Sequence, residues 1–185
     1  MTTEWPLPGS VGFAHSNGLF GKLIRLGEWL RFRNGDFWNH EFVVSDKSLN
    51  GVPYVIQAEA KGVTDDKLIT TVAPGGTYQI VELPANVDRT KTLEFAKGEV
   101  GTEYGWLSIV DIAAKIILPK WVPFPSIQSV QTWICSTLGA EAMRYAGWLH
   151  RWPNIYLVVP SEHYAALTNV GVRQVSQHMR LAANQ

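Results

Sequence analysis

The stretch Trp38-Asn39-His40-Glu41-Phe42-Val43-Val44-Ser45, then Asp46-Lys47-Ser48-Leu49-Asn50-Gly51, then Tyr54-Val55-Ile56-Gln57-Ala58-Glu59-Ala60 decides the fold. Residues 40–45 and 54–60 are rich in Val, Phe, Tyr and Ile, and the residues between them are turn formers, so the segment reads as an antiparallel hairpin. If His40 pairs opposite Glu59, Ser45 falls opposite Tyr54 and the turn composition fills the connection. Directly opposed residues project on one face with β-carbons about 5 Å apart. The Glu59 carboxylate can then accept from one imidazole nitrogen of His40 and leave the other to face a reactive group. Gln57 has the same parity, and a two-residue change of register would make it the orienting group; Glu59 is the preferred choice. Glu41 points to the opposite face and is expected to be a solvated or structural carboxylate.

A second segment supplies the reactive group. Residues 132–146 read as a helix that Gly147 closes at a position suited to a left-handed cap, and Cys135 sits near its start. Unsatisfied N–H groups and the positive end of the helix dipole favour an anion there. Such a setting lowers a thiol pKa, the more so beside an imidazolium, and the same N–H groups can hold an oxyanion. Taken without context, a lone cysteine is a small buried hydrophobe. The hairpin provides the context for a nucleophile.

Around these segments the chain reads as one α+β unit over residues 1–185, with a core of about 9–167 and a polar tail of about 173–185 that frays. After a Pro/Gly-punctuated start, a helix capped at Ser16 or Asn17 runs to Asn34-Gly35, its apolar residues at helical spacing. Strands are expected at 78–83, ended by Pro84, and in part at 67–72. Residues 93–100 form a short helix, 106–118 an apolar one that Pro119 terminates, and a further short helix follows Pro160. No internal repeat or low-complexity tract is visible.

Composition narrows the function. Sixteen basic and sixteen acidic residues cancel, which removes the electrostatic footprint of a nucleic-acid or anionic-membrane binder. The single Cys excludes an internal disulfide and a multi-cysteine zinc site. His40-Glu41 begins like a zinc-protease helix, but the second His of that signature is replaced by Val44 and the segment is β-branched. No phosphate loop and no G-x-S-x-G elbow is present, so no cofactor and no metal is expected. The start, Met1-Thr2-Thr3-Glu4-Trp5-Pro6, has no basic residue before an apolar run, so no secretory signal is read. The apolar stretch 106–124 is interrupted by Asp111, Lys115, Pro119 and Lys120, short of the roughly 20 residues a spanning helix needs. No transmembrane anchor and a cytoplasmic location are therefore expected, with a virion or delivery to another compartment as the alternative. His15 is read as a surface or structural residue, and His150, His163 and His178 as solvated. Trp5, Trp148 and Trp152 are read as exposed.

In their order, Trp38-Asn39-His40-Glu41-Phe42-Val43-Val44, Val55-Ile56-Gln57-Ala58-Glu59-Ala60-Lys61-Gly62-Val63 and Trp133-Ile134-Cys135-Ser136 resemble the circularly permuted branch of the NlpC/P60 (papain-like) superfamily. The resemblance is to the YiiX/YebB-type group, related to the lecithin-retinol acyltransferase-like proteins. It extends from about Gly9 to about Leu167 and includes Tyr104, although an acidic residue that often follows that tyrosine is replaced by Gly105. The resemblance implies a permuted papain-like fold, an antiparallel sheet packed against helices, with Cys135 as nucleophile, His40 as base and Glu59 as the polar third member. It implies a cysteine hydrolase cutting an amide, peptide or ester bond through a thioester, on a peptide, peptidoglycan-fragment or lipid substrate. The helix 106–118 with Trp121 and Phe124 could form an acyl wall, but core is the preferred reading. Two alternatives stand beside it: a lipid acyltransferase using the same Cys-His site, and a structural or interaction protein of a larger, conceivably viral, assembly that keeps the fold with little activity.

Overall fold

The computed structural model describes residues 6–15, 37–72, 77–105, 132–149, 152, 155, 158–169 and 174–175. The expected helices over 16–34 and 106–118, the proline-rich segment after 118, His150 and His178 lie outside these residues. The described architecture is mixed α+β, an antiparallel sheet with three helices.

Five strands form the body of the sheet: β1 (Val11–His15), β2 (His40–Leu49), β3 (Val52–Glu59), β4 (Gly62–Leu68) and β5 (Thr77–Val81), in spatial order β4-β3-β2-β1-β5. The hairpin is longer than its composition suggests. β2 and β3 run on to a two-residue turn at Asn50-Gly51, both with positive φ (51° and 79°), the twist that matches right-handed strands. The added residues are accommodated by an irregularity between Val44 and Ser48. Val43 pairs with Ile56 and Val44 with Val55; continued to the start of β2, this register sets His40 across from Glu59.

β1 lies inside the sheet and was not anticipated. It pairs antiparallel with β2 on one side and β5 on the other, and its five residues follow a Gly-rich start that reads as irregular. The strand expected over 67–72 begins at Gly62 instead, and residues Ile69–Thr71 form a 3₁₀ turn. The tail is also not wholly frayed. Gln174–Val175 forms a two-residue strand, β8, paired with β5, which covers part of an edge that would otherwise present unpaired backbone groups.

Three helices follow: α1 (Arg89–Gly98), α2 (Cys135–Tyr145) and α3 (Pro160–Asn169). Asp88 caps α1, its carboxylate accepting from the Thr90 and Lys91 N–H groups, and Gly147 follows α2 with φ 101°. α2 packs on α1 and across β2 and β3. Strand alternation sorts the sheet into two faces. Val11, Phe13, Val43, Ile56 and Ala58 join Leu138, Met143 and Leu167 of the helices in one core cluster. Ala14, Phe42, Val44, Val55, Tyr78 and Ile80 form a second cluster on the other face. The parallel pair β6 (Glu103–Tyr104) and β7 (Thr132–Trp133) aligns Tyr104 with Trp133, two residues before the start of α2.

Candidate active site

Cys135 is the first residue of α2 and only 5% exposed. The residue before it, Ile134, is extended and has no side-chain oxygen with which to cap the N–H groups of the first turn. Thr137 folds back, its hydroxyl accepting from the Ile134 N–H at 3.2 Å, and Ser136 Oγ donates to the Val158 carbonyl at 2.6 Å. These bonds fix the helix start against the segment that leads into α3.

His40 opens β2 and is half-buried. Its Nε2 donates to Oε1 of Gln57 at 2.6 Å. Gln57, 1% exposed, donates from Nε2 to Oε1 of Glu59 at 2.5 Å, and Lys67 Nζ donates to the same Glu59 oxygen at 2.6 Å. The imidazole thus bonds Gln57, the alternative to Glu59, even though Glu59 is the residue set across from it. The physical reason is the third strand. Lys67 on β4 and the amide of Gln57 both hold the Glu59 carboxylate, and the Gln57 side chain spans the diagonal to His40, a distance long side chains cover. Burial depresses the His40 pKa from its ordinary 6.5; the bond to Gln57 and the charge of Glu59 oppose that shift, while Lys67 adds to it.

Tyr104 is paired with Trp133, two residues before Cys135. Gly105 N–H donates to the Trp133 carbonyl at 2.8 Å, so β6 and β7 run side by side into the start of α2. The Tyr104 phenol is raised well above the usual range, chiefly by burial and further by the electrostatic influence of Cys135 and Glu59. Tyr104 therefore shares one electrostatic neighbourhood with both. The sequence singled it out only as part of the family resemblance, and a lone Tyr in a Gly-flanked turn gives no independent signal. Lys67 carried no signal either, because its role depends on the β3–β4 pairing.

His163 is where the sequence expectation needs correction, while Glu41 takes the structural one of the two roles expected for it. His163 is not solvated: it lies in α3, fully buried, and its Nδ1 is 2.8 Å from Oε1 of Glu41, also fully buried. Phe13, Trp148 and Trp152 surround the ring at centroid distances of 5.8, 5.1 and 6.1 Å. Trp148 is likewise buried, and Trp152 is half-buried. The helical pairing of α3 with the sheet, which local composition does not reveal, turns this His inward. Burial raises the Glu41 pKa and His163 lowers it again. A β-carbon at Gly139 of α2 would overlap the Glu41 carboxylate, so the close approach of helix and strand requires glycine there. His15 has a structural setting, with Nδ1 2.5 Å from the Phe37 carbonyl and its ring stacked on Phe37.

Among the described residues no three His, Cys, Asp or Glu side chains converge as a metal site, and no helix is long and apolar enough to cross a membrane. No protein-family model matches this chain, and no curated protein matches it.

Proposed function

We propose that the chain is a cysteine hydrolase with a circularly permuted papain-like arrangement, acting on an amide, peptide or ester bond, with cell-wall peptides or lipids as the substrate classes to screen. Cys135 is the nucleophile, His40 the base, and Gln57 the group that orients the base. The observation that carries this reading is the bond from His40 Nε2 to the Gln57 amide, which leaves Nδ1 as the nitrogen available for a thiol, on a sheet packed by a helix that begins with Cys135.

In this mechanism the Cys135 proton moves to His40 and the thiolate attacks the substrate carbonyl carbon. The oxyanion is held by N–H groups at the start of α2. The C–N or C–O bond breaks as the imidazolium returns its proton to the leaving group. Water, deprotonated by His40, then cleaves the thioester and regenerates the thiol. An acceptor alcohol or amine in place of water makes the same site a transferase.

A second reading, a structural or interaction protein that keeps the fold, is favoured by one observation. Strand alternation assigns His40 to the face of Phe42 and Val44, whereas α2 packs on the face of Val43 and Ile56. A Cys-His pair therefore needs Nδ1 to reach the helix start around the end of β2. The rate of Cys135 alkylation by a small reagent, followed against pH in the native protein and in His40→Ala, separates the two. Labelling that persists well below the ordinary thiol pKa of about 8.5 and is lost in His40→Ala supports the hydrolase. An unreactive native thiol, or one indifferent to His40, sinks the catalytic pair.

A further inference from the structure

A neutral imidazole can carry its hydrogen on either nitrogen, and a glutamine amide can present its oxygen or its NH₂ after a half-turn. For His40 and Gln57 these two choices are coupled, because an amide oxygen requires an N–H opposite it and an amide NH₂ requires a lone pair. Glu59 breaks the tie. A carboxylate has no hydrogen to give, so it takes the Gln57 NH₂, at 2.5 Å. The amide oxygen then faces His40 at 2.6 Å, and the ring hydrogen must sit on Nε2. Lys67 Nζ, which only donates, holds the same Glu59 oxygen at 2.6 Å and pins the acceptor in place. Every bond in the run from His40 to Lys67 points into Glu59.

We propose that Glu59 and Lys67 are positioning residues that fix His40 in its Nε2–H tautomer through the amide of Gln57, leaving Nδ1 as the proton-accepting atom. The catalytic value of that tautomer rests on the hydrolase reading above, but the tautomer itself does not. Gln57 is nearly fully buried, so water has little access to supply an alternative partner, and the choice falls to the side chains around it.

The test is a two-bond ¹H–¹⁵N correlation spectrum of the His40 ring, above its titration, in the native protein and in Glu59→Leu, Glu59→Gln and Lys67→Met. The native ring is expected to favour Nε2–H by about tenfold or more, the scale of one charge-assisted hydrogen bond. In Glu59→Leu the amide is free to turn, and the ratio falls by about tenfold. Glu59→Gln keeps an acceptor oxygen and restores part of it, and Lys67→Met moves it in the leucine direction by a smaller factor. A native Nδ1–H ring overturns the proposal even if Glu59→Leu does not fold, and so does a ratio unmoved in the folded variants. Measured together with Cys135 alkylation, the two ideas separate. A thiol indifferent to His40 with a tautomer that follows Glu59 removes the base role and keeps the positioning. A thiol that depends on His40 with a tautomer that ignores Glu59 removes the positioning alone.

Discussion

His40 and Glu41 are adjacent in sequence and stand on opposite faces of one strand, each in a polar arrangement of a different kind. Glu41 meets His163 where both side chains are fully buried, beside the rings of Phe13, Trp148 and Trp152. His40 begins a run of bonds through Gln57 and Glu59 that ends at Lys67, 40% exposed. A pair taken out of water adds little net stability when made and costs much when broken. A run that ends at the surface can be altered with a smaller effect on folding, which leaves its members open to a chemical role. The difference teaches that burial of both ends, not the presence of charge, makes a polar contact structural here.

Breaking the buried pair gives the largest expected effect. His163→Leu leaves the Glu41 carboxylate alone against Gly139 and the aromatic rings, and urea unfolding near neutral pH should show a loss of about 3–5 kcal/mol. The double variant Glu41→Leu/His163→Leu should regain most of that loss, since both desolvated groups are gone. The sign with pH follows from the carboxyl. Burial raises the folded pKa of Glu41 above 4.5, and His163 is what opposes the rise. In His163→Leu the folded state therefore holds a proton that the unfolded state releases above 4.5. The penalty is full above the raised folded value and fades as pH falls toward 4.5. A loss that is independent of pH would mean that Glu41 keeps a charge partner.

Altering the run that ends at Lys67 should move reactivity as well as stability, the stability by less than breaking the buried pair does. Gln57→Leu leaves His40 Nε2 without its acceptor, a cost of about 1–3 kcal/mol, and on the hydrolase reading the Cys135 alkylation rate near neutral pH drops by about ten- to a hundredfold. A drop in stability with unchanged alkylation would mark the bond as structural only. His40 also gives a pH signature. Its folded pKa lies below 6.5, so the unfolded state binds the proton first. Stability contributed by neutral His40 is complete above about 6.5 and is lost as pH falls through the folded value. Replacing His40 with Gln should flatten that slope in a urea series, and a slope that survives belongs to another group.

How far the sequence reveals this contrast depends on how local each feature is. The hairpin and the shared parity of His40, Gln57 and Glu59 follow from alternation, so the α+β class is readable before any coordinates, whereas the helix expected from residue 132 begins only at Cys135, after the short strand Thr132–Trp133. The choice between Gln57 and Glu59 is not, because both have the same parity, and the decision comes from Lys67 on the next strand. β1 is invisible for a related reason. Val11–His15 is short, and its interior place depends on pairing with two strands distant in sequence. His163 follows Pro160-Ser161-Glu162, a polar context that says solvent, and only the docking of α3 onto the sheet makes it core.

The smallest expected effect sharpens the comparison most. Lys67→Met removes an ion pair whose side chains are 40% and 21% exposed, so its loss should cost less than about 1 kcal/mol in unfolding. Added salt already screens such a pair in the native protein, whereas it reaches the buried Glu41–His163 pair far less. The salt dependence of stability attributable to Lys67 should therefore vanish in Lys67→Met and remain unchanged in the Glu41→Leu/His163→Leu double variant. If the reverse is found, with salt acting through the buried pair, then solvent and ions reach Glu41, and the contrast between the two polar arrangements on β2 fails at its base.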